Sequence, residues 1–168
     1  TIPVVIEFDH HQIHEGEAYE YFWYSASLNG TQDFRLSVPA APATLGTPHV
    51  VVEVISDATL TNILLYEGTT WTAAGTDDSA RIYNRNRNVA TAAGTKIYVT
   101  GATALTVNAA GTNFWQGLLF SGARGANTVD RALSEWDLAA ATEYLLRVTT
   151  SAAGHVLVRI YFYEDRGV

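Results

Sequence analysis

The sequence has no cysteine and no methionine, and it contains a single lysine and four prolines among its 168 residues. The absence of cysteine excludes disulfide bonds, thiol catalysis and cysteine-based zinc sites. No apolar run approaches the roughly 20 residues that a membrane-spanning helix needs, so we expect no membrane partner. Long segments rich in lysine, glutamate and leucine, which are typical of surface helices, are also missing.

Charged residues are scarce as well, and acids exceed bases. They make up 16% of the chain, and the formal net charge is −7 because 17 acidic residues outnumber 10 lysines and arginines. Nonspecific binding to nucleic acid depends on many basic contacts to phosphate, so we expect no nucleic-acid partner. Hydrophobic residues account for 48%, which indicates a globular chain whose length suits one domain.

The residues that are present favour strands separated by turns. Short β-branched or aromatic segments alternate with glycine, asparagine and proline. The predicted strands are residues 19–28, 32–38, 49–56, 60–66, 80–83, 96–100, 104–108, 114–120, 144–150 and 155–163. Asn29-Gly30 predicts a tight hairpin between the first two, and residues 151–154 predict another between the last two. A helical turn is predicted over residues 133–141, with Ser134 as its N-cap.

This succession of about ten short strands predicts an all-β fold, an antiparallel sandwich with jelly-roll-like connections. A parallel α/β fold is disfavoured because no amphipathic crossover helices lie between the strands. We assign residues 1–14 to an extended N-terminal arm or edge strand. Residues 15–168 are predicted to form a single β-sandwich domain.

A histidine cluster near the start is the strongest candidate for metal chemistry. It comprises His10, His11 and His14 with Glu15 and Glu17, and imidazole plus carboxylate is a legitimate ligand set for zinc. However, the segment lacks the helix and the spaced glutamate of a metalloprotease motif, and His11 and His14 would point apart on an extended chain. We therefore predict no metal and no other cofactor, and we keep His11 and His14 as candidate contacts to a neighbouring strand or subunit.

Motifs for enzymatic catalysis are absent from the sequence. There is no Gly-x-Ser-x-Gly elbow and no glycine-rich phosphate loop, and His49 and His155 lie at the ends of predicted strands. We predict that the protein is not an enzyme and has no catalytic residue. A small β-fold hydrolase or metal-dependent enzyme stays open as an alternative, because an all-β fold can bring Glu53 or Glu67 near another acid.

The aromatic residues suggest binding surfaces. Trp71 lies in the polar segment 69–76, where we expect it to be exposed and able to stack on a sugar or a protein partner. Residues 19–24 contain more large aromatic side chains than one face of a sheet can bury. We predict that Tyr19 and Tyr21 contribute to an interface between subunits.

The sharpest polar cluster is Asn84-Arg85-Asn86-Arg87-Asn88. On an extended chain Arg85 and Arg87 would point the same way, about 7 Å apart. Two adjacent guanidinium groups can hold carboxylates of a partner in bidentate geometry. The alternative is a solvated loop that carries ordinary surface charge.

The order of these short motifs resembles a family of tailed-bacteriophage virion proteins, whose members are described as head decoration or cement proteins. The similarity extends from about residue 10 to residue 164. The motifs that carry it are residues 11–16 (His-Gln-Ile-His-Glu-Gly), 65–69 (Leu-Tyr-Glu-Gly-Thr), 84–87 (Asn-Arg-Asn-Arg), 144–149 (Tyr-Leu-Leu-Arg-Val-Thr) and 161–164 (Tyr-Phe-Tyr-Glu).

The resemblance implies a compact β-fold that binds at the symmetry axes of an icosahedral shell as a trimer. We therefore expect a homotrimeric capsid decoration protein that binds the major capsid protein on the virion surface, with assembly in the host cytoplasm. The N-terminal arm would then add a strand to a neighbour. The alternative function is that of a carbohydrate- or receptor-binding β-sandwich module of a phage appendage.

Overall fold

The computed structural model describes the backbone of residues 8–40, 46–120 and 135–164, and the side chains of these ranges from residue 12 onward. A helix, α1 (Phe8–Glu15), comes first, and a 3₁₀ turn lies at Ser79–Arg81. The strands are β1 (Ala18–Ser37), β2 (Pro48–Ser56), β3 (Leu60–Glu67), β4 (Thr70–Ala74), β5 (Thr76–Asp77), β6 (Ile82–Asn84), β7 (Lys96–Val99), β8 (Leu105–Ala109), β9 (Thr112–Phe120), β10 (Glu135–Asp137) and β11 (Glu143–Glu164). Within these ranges no helix has the length and apolar character needed to cross a membrane.

Two long strands organise the fold. β1 has 20 residues and β11 has 22, and they pair antiparallel from Ala18 opposite Tyr163 to Ser37 opposite Glu143. The hairpins predicted at residues 29–30 and 151–154 are therefore wrong, because both strands continue through these positions. Each long strand pairs its backbone N–H and C=O groups with those of the other strand. Neither strand therefore has to fold back on itself in a hairpin to satisfy these groups.

β1 bends near its middle. Its register with β11 shifts between Ser25 and Leu28 and again between Leu28 and Gly30, and Gly30 has a φ of +113°. The rings of Tyr21 and Phe34 contact each other at 6.4 Å between centroids, although a straight strand would hold these residues about 40 Å apart. The two halves of β1 therefore lie in sheets that face each other across the core.

The other strands attach to the halves of this central pair. The first half of β1 and the second half of β11 pair with β6 and β2, and β10 pairs with β2. The second half of β1 and the first half of β11 pair with β7 and β3, which in turn pair with β5 and β9. β4 and β8 form a smaller antiparallel sheet. The prediction of an all-β antiparallel sandwich is confirmed.

The core consists of the inward-facing residues of both sheets. Alternate residues of β2 and β11 are buried, as the two-residue period of a strand requires. The largest fully buried side chains are Tyr19, Tyr21, Phe34, Leu36, Ile63, Leu65, Ile97, Leu138, Tyr144, Leu145, Leu146 and Ile160. Aromatic and branched aliphatic side chains therefore fill the space between the sheets.

The helical turn predicted over residues 133–141 is wrong where the structure describes it. Residues 135–137 form β10, which pairs with β2, and a turn follows in which Ala141 has a φ of +54°. Trp136 packs against Trp115, with 5.3 Å between ring centroids. This contact between distant residues overrides the weak local helix signal. Ser134 lies outside the described residues.

The N-terminal segment also differs from the prediction. Residues 8–15 form α1 and not an extended arm, whereas residues 1–7 lie outside the described range. The helix ends in a Schellman motif: the Gly16 N–H donates to the Ile13 carbonyl at 3.1 Å, and the Glu17 N–H donates to the Gln12 carbonyl at 3.0 Å. Gly16 has a φ of +77°, which favours glycine there.

Gly154 lies where β11 passes close to the β2–β3 turn, and this close approach can be tested by substitution. A Cβ atom on Gly154 would lie 2.7 Å from Ala58 Cα and 2.8 Å from Ala58 N, which are backbone atoms. We expect Gly154→Val to lower the free energy of unfolding by about 2 kcal/mol. Urea denaturation measures the effect, and Ala153→Val at the exposed neighbouring position is the control. Equal losses from both substitutions would contradict the close approach.

Candidate binding site

The candidate site lies on the solvent side of the sheet half formed by β10, β2, β11, β1 and β6. The side chains that point away from the core here form a surface that we call the outer face. Its members are Glu20, Phe22, Tyr24, Val51, Glu53, Ile55, Tyr83, Leu157, Arg159 and Tyr161. Residues of α1 border one end of this surface, at the end of β11.

The asparagines of the Asn-Arg motif hold α1 against the sheet. Asn84 is buried, and its Nδ2 donates hydrogen bonds to the Gly16 carbonyl at 2.7 Å and to the Thr91 carbonyl at 3.3 Å. Its Oδ1 accepts a hydrogen bond from the Asn86 backbone N–H at 2.8 Å. A single buried amide therefore connects the end of α1 to two parts of the loop after β6.

Asn86 completes this connection, which we call the asparagine clamp (Asn84 and Asn86). Its Nδ2 donates to the His14 carbonyl at 2.9 Å, and its Oδ1 accepts from the Asn88 N–H at 3.1 Å. The last carbonyls of a helix have no partner within the helix. The clamp supplies a hydrogen-bond donor to the His14 carbonyl and fixes the orientation of α1 relative to the sheet.

The Glu164 carboxylate anchors the end of β11 to the segment before β7. Glu164 is buried, and its two carboxylate oxygens accept hydrogen bonds at 2.7 Å from the backbone N–H groups of Gly94 and Thr95. Its own N–H donates to the Glu17 carbonyl at 3.1 Å. Two charge-assisted hydrogen bonds compensate for the burial of this carboxylate. The acid of the Tyr-Phe-Tyr-Glu motif thus has a structural role.

A cavity of about 310 Å³ lies between α1, the start of β1, the end of β11 and β2. We call it the α1 cavity. Its lining residues are Gln12, Ala18, Tyr19, His49, Val51, Arg85, Tyr161, Phe162 and Tyr163. This volume is at the lower end of the range for small-molecule sites. The mixture of aromatic walls with a few polar groups is also typical of such sites.

Two polar groups of the α1 cavity lack a complementary partner in the part of the chain that the structure describes. Arg85 is exposed, and its guanidinium carbon lies 5.9 Å from the centroid of the Tyr161 ring. No carboxylate among the described residues forms an ion pair with Arg85. Gln12 is only 3% exposed, and its Oε1 has no hydrogen-bond partner in the described part of the chain. The cavity therefore offers a cation and a buried acceptor.

His49 forms a third polar element of the cavity wall. Its ring stacks on that of Tyr163, with 4.6 Å between centroids, and its Nδ1 lies 3.1 Å from Glu135 Oε1. The Tyr163 hydroxyl donates a hydrogen bond to the same carboxylate oxygen. The orientation of the imidazole is thus held from two directions. The sequence identifies His49 only as a residue at the end of a strand and does not indicate that it lines a cavity.

The side-by-side geometry predicted for Arg85 and Arg87 is wrong. Residues 85–88 form a bend and a turn after β6 and are not extended. Arg87 lies over Tyr83, with 5.6 Å from its guanidinium carbon to the ring centroid, whereas Arg85 lies over Tyr161. The asparagine side chains bond to backbone N–H groups two residues ahead and so favour turns.

Tyr19 and Tyr21 belong to the core, and the prediction that they form an interface is wrong. They are 1% and 0% exposed, and the Tyr21 hydroxyl donates to Asp78 Oδ2 at 2.9 Å. Burial, reinforced by this hydrogen bond, raises the pKa of Tyr21. The outward positions of the same strand are Glu20, Phe22 and Tyr24. The acidic Glu20 was the signal that could have identified this outward set, because a strand alternates its faces.

Trp71 is half-buried in a polar cluster and not an exposed platform, which corrects the prediction. The Arg35 guanidinium carbon lies 5.8 Å from the centroid of the Trp71 ring and 4.6 Å from that of Tyr98. Arg35 also forms a bidentate ion pair with Glu143, with nitrogen–oxygen distances of 2.7 and 2.9 Å. Ser37 donates to the same carboxylate at 2.8 Å. These contacts occupy the indole face that a sugar would need.

The predicted histidine contacts have separate outcomes. His14 lies exposed in the last turn of α1, where its carbonyl accepts the bond from Asn86. The side chain of His11 lies outside the described residues. Among the side chains in residues 12–40, 46–120 and 135–164, no group of three histidines or acids is placed to hold a metal ion. The expectation that His11 and His14 contact a partner stays a prediction.

Comparisons with protein-family models, with curated proteins and with solved structures found no significant match. The resemblance to phage virion proteins therefore stays a prediction.

The asparagine clamp predicts that substitutions of Asn84 and of Asn88, four residues apart, have very different effects on stability. We expect Asn84→Ala to lower the free energy of unfolding by about 2 kcal/mol, because it removes the donor to the buried Gly16 carbonyl and to the half-buried Thr91 carbonyl. Asn88→Ala at an exposed position should have little effect. Urea denaturation gives the free energies, and amide hydrogen exchange in α1 reports the local loss. Unchanged exchange in α1 for Asn84→Ala would refute the clamp.

The cluster at Glu143 predicts a dependence of stability on pH. Burial raises the pKa of Glu143, but hydrogen bonds from Arg35 and Ser37 outweigh it and hold the pKa below its ordinary value of 4.5. A carboxyl whose pKa is lower in the folded state stabilises the fold above its unfolded pKa, and this stabilisation is lost as the pH falls through the folded value.

We therefore expect Glu143→Gln to cost about 1 kcal/mol near neutral pH, a modest value because solvent screens this partly exposed pair. The difference from the wild type should shrink at pH values well below 4.5. Urea denaturation across this pH range measures it, and Asp137→Asn, at an exposed acid, is the control. A difference that stays constant with pH would exclude the role of the ionised carboxylate.

Proposed function

We propose that the chain is a nonenzymatic structural protein of a tailed-phage virion, a decoration protein that binds the major capsid protein on the head surface. The observation that carries the proposal is the aromatic part of the outer face. Phe22, Tyr24 and Tyr83 are 43%, 56% and 42% exposed. Clustered aromatic side chains on a sheet surface are typical of protein interfaces.

These aromatic side chains are already ordered. Phe22 stacks with Tyr83 at 6.0 Å between ring centroids. The Arg87 guanidinium also lies over the Tyr83 ring. Tyr24 stacks with His155 at 6.2 Å. Tyrosine and arginine are the residue types that most often dominate binding energy at protein interfaces. A partner would bind them without a large loss of side-chain entropy.

An apolar row extends this surface across three strands. Tyr24 of β1 lies opposite Leu157 of β11, and Leu157 lies opposite Ile55 of β2. Tyr24 and Ile55 are exposed, and Leu157 is half-buried. The row therefore presents apolar area to the solvent across the width of the sheet, next to the Phe22–Tyr83 pair.

The charges on the outer face lie close to one another. Arg159 lies 3.3 Å from a Glu53 oxygen and 4.0 Å from a Glu20 oxygen. Arg159 compensates one of these two carboxylates, so a partner that covers the group must supply a positive charge for the other if no isolated charge is to be buried. The outer face thus combines apolar area with one excess carboxylate, which favours a partner that carries a basic residue.

The occupant that we propose is the capsid shell. The net charge of −7 disfavours stacking of copies through this face and favours a neutral or basic partner. A homotrimer, which the resemblance implies, would place three outer faces around one symmetry axis and so strengthen binding by multivalency. The corresponding location is the virion surface after assembly in the host cytoplasm.

A carbohydrate- or receptor-binding module stays the second candidate function. The observation that favours it is the α1 cavity, which could hold a small ligand. Trp71, the sugar platform predicted from the sequence, does not support it, because Arg35 covers the indole ring. The α1 cavity shares Val51 and Tyr161 with the outer face, but the exposed aromatic residues Phe22, Tyr24 and Tyr83 do not line it. The two functions can therefore be tested separately.

Binding to capsids tests the decoration proposal. The probe is an empty capsid assembled from the major capsid protein encoded in the same genome, and binding is measured by co-sedimentation. We expect the double variant Phe22→Ser/Tyr83→Ser to bind about 30-fold more weakly, because it removes two aromatic anchors. Phe120→Ser is the matched control, since Phe120 is an exposed phenylalanine on the opposite sheet half.

Light scattering of the free protein accompanies this measurement, and a trimer is expected. Failure of the wild type to sediment with capsids would overturn the decoration role. Equal binding by the double variant and by Phe120→Ser would show that the aromatic part of the outer face is not the contact. A monomer at micromolar concentration would remove the trimer from the proposal.

A further inference from the structure

We propose that the α1 cavity binds a small hydroxylated carboxylate of the sugar-acid class, such as a uronic acid. This inference does not depend on the decoration role, because the cavity residues differ from the aromatic anchors of the outer face. Three features of the cavity define the ligand: its size and aromatic wall, its cation, and its buried acceptor.

The size and the wall suit one sugar ring. The volume of about 310 Å³ is small for an oligosaccharide but adequate for a monosaccharide with bound water. Arg85 lies over part of the Tyr161 ring. The rest of this half-buried ring, with Val51 and Ala18 beside it, provides an apolar surface against which the C–H face of a sugar can pack. The ligand therefore has a compact, partly apolar body.

The cation indicates a carboxylate. Arg85 is held over Tyr161 and has no carboxylate partner among the described residues, although acids outnumber bases in the chain. A guanidinium group binds a planar carboxylate through two parallel hydrogen bonds. A single guanidinium matches a ligand with one negative charge, whereas it would neutralise only half the charge of a phosphate dianion. The ligand is therefore a monoanion.

The buried acceptor indicates a hydroxyl group. Gln12 Oε1 lies in a side chain that is 97% buried, and no donor from the described residues reaches it. A buried acceptor without a donor is rare in native proteins and calls for a specific partner. Because Gln12 Oε1 has less than 1 Å² of accessible surface, a ligand hydroxyl would donate to it after the amide rotates toward the cavity. The His49 imidazole, oriented by Glu135, is available for another hydroxyl. The combination of one carboxylate with hydroxyl groups on a compact ring defines a sugar acid.

The fold positions these groups before any ligand arrives. The asparagine clamp fixes the end of α1, which carries Gln12, and it also fixes the turn that carries Arg85. Preorganised polar groups lower the entropic cost of binding. The unusual density of asparagine around Arg85 thus serves the geometry of the cavity.

Nuclear magnetic resonance titration tests the assignment. The protein labelled with ¹⁵N is titrated with glucuronate, with glucose, which lacks the carboxylate, and with cyclohexanecarboxylate, which lacks the hydroxyls. We expect glucuronate to shift the amide resonances of residues that line the α1 cavity, and each control compound to bind about tenfold more weakly or less. Equal binding of glucose or of cyclohexanecarboxylate would overturn the proposed ligand class.

Two variants test the named contacts. Arg85→Ala should weaken glucuronate binding by about tenfold or more, whereas Arg87→Ala, at the exposed arginine two residues away, should leave it unchanged. Gln12→Glu should also weaken binding, because it places a negative charge beside the carboxylate. If Gln12→Glu fails to fold, the Arg85 and Arg87 pair still decides. Equal affinities for Arg85→Ala and the wild type would refute the site.

A final comparison identifies the source of the sugar acid. Glucuronate alone is compared with a trisaccharide that ends in glucuronate. Tighter binding of the trisaccharide would assign the site to the end of a glycan chain, and equal or weaker binding would assign it to the free acid. Binding of neither would overturn the inference. It would leave the capsid-binding proposal untouched, because that experiment depends on Phe22 and Tyr83, which do not line the cavity.

Discussion

The antiparallel pairing of β1 with β11 is the constraint on which the rest of the molecule depends. Both strands bend, so one continuous pairing supplies the centre of each facing sheet, and the shorter strands add to either half. The register also decides the faces. Because side chains alternate along a strand, a shift of one residue would bury Phe22 and Tyr24 and expose Tyr21. The proposed capsid-binding surface exists only in the observed register.

The asparagine clamp is the second element on which function depends. It joins α1 to the loop after β6 through side-chain amides, at the place where a helix end leaves carbonyls without partners. The same contacts help to form the α1 cavity, because they join the helix that carries Gln12 to the turn that carries Arg85, and both residues line the cavity. A local capping arrangement thereby becomes part of a candidate ligand site.

The distribution of charge separates two groups of arginines among the described residues. Arginine side chains within the sheets are paired with acids, and these pairs are Arg35–Glu143, Arg147–Asp33 and Arg159–Glu53. Arg85 and Arg87 differ, because no acid among the described residues pairs with either and each lies over a tyrosine ring. Among the arginines that the structure describes, these two guanidinium groups are therefore the ones without an acidic partner.

Composition and alternation were enough to predict an all-β sandwich and the positions of β2, β3, β7, β8 and β9, because β-branched segments between turn residues report strands directly. The Asn-Arg motif was also recognisable, although its asparagines and not its arginines hold the structure together. Local patterns could not distinguish a hairpin at Asn29-Gly30 from a bend in a continuous strand, because a glycine with positive φ serves both. The continuation of β1 through Asn29-Gly30 depends on its pairing with β11, whose residues are far away in the chain. The same pairing sets the outward face of β1 and forms part of the α1 cavity. No local preference encodes such long-range pairing.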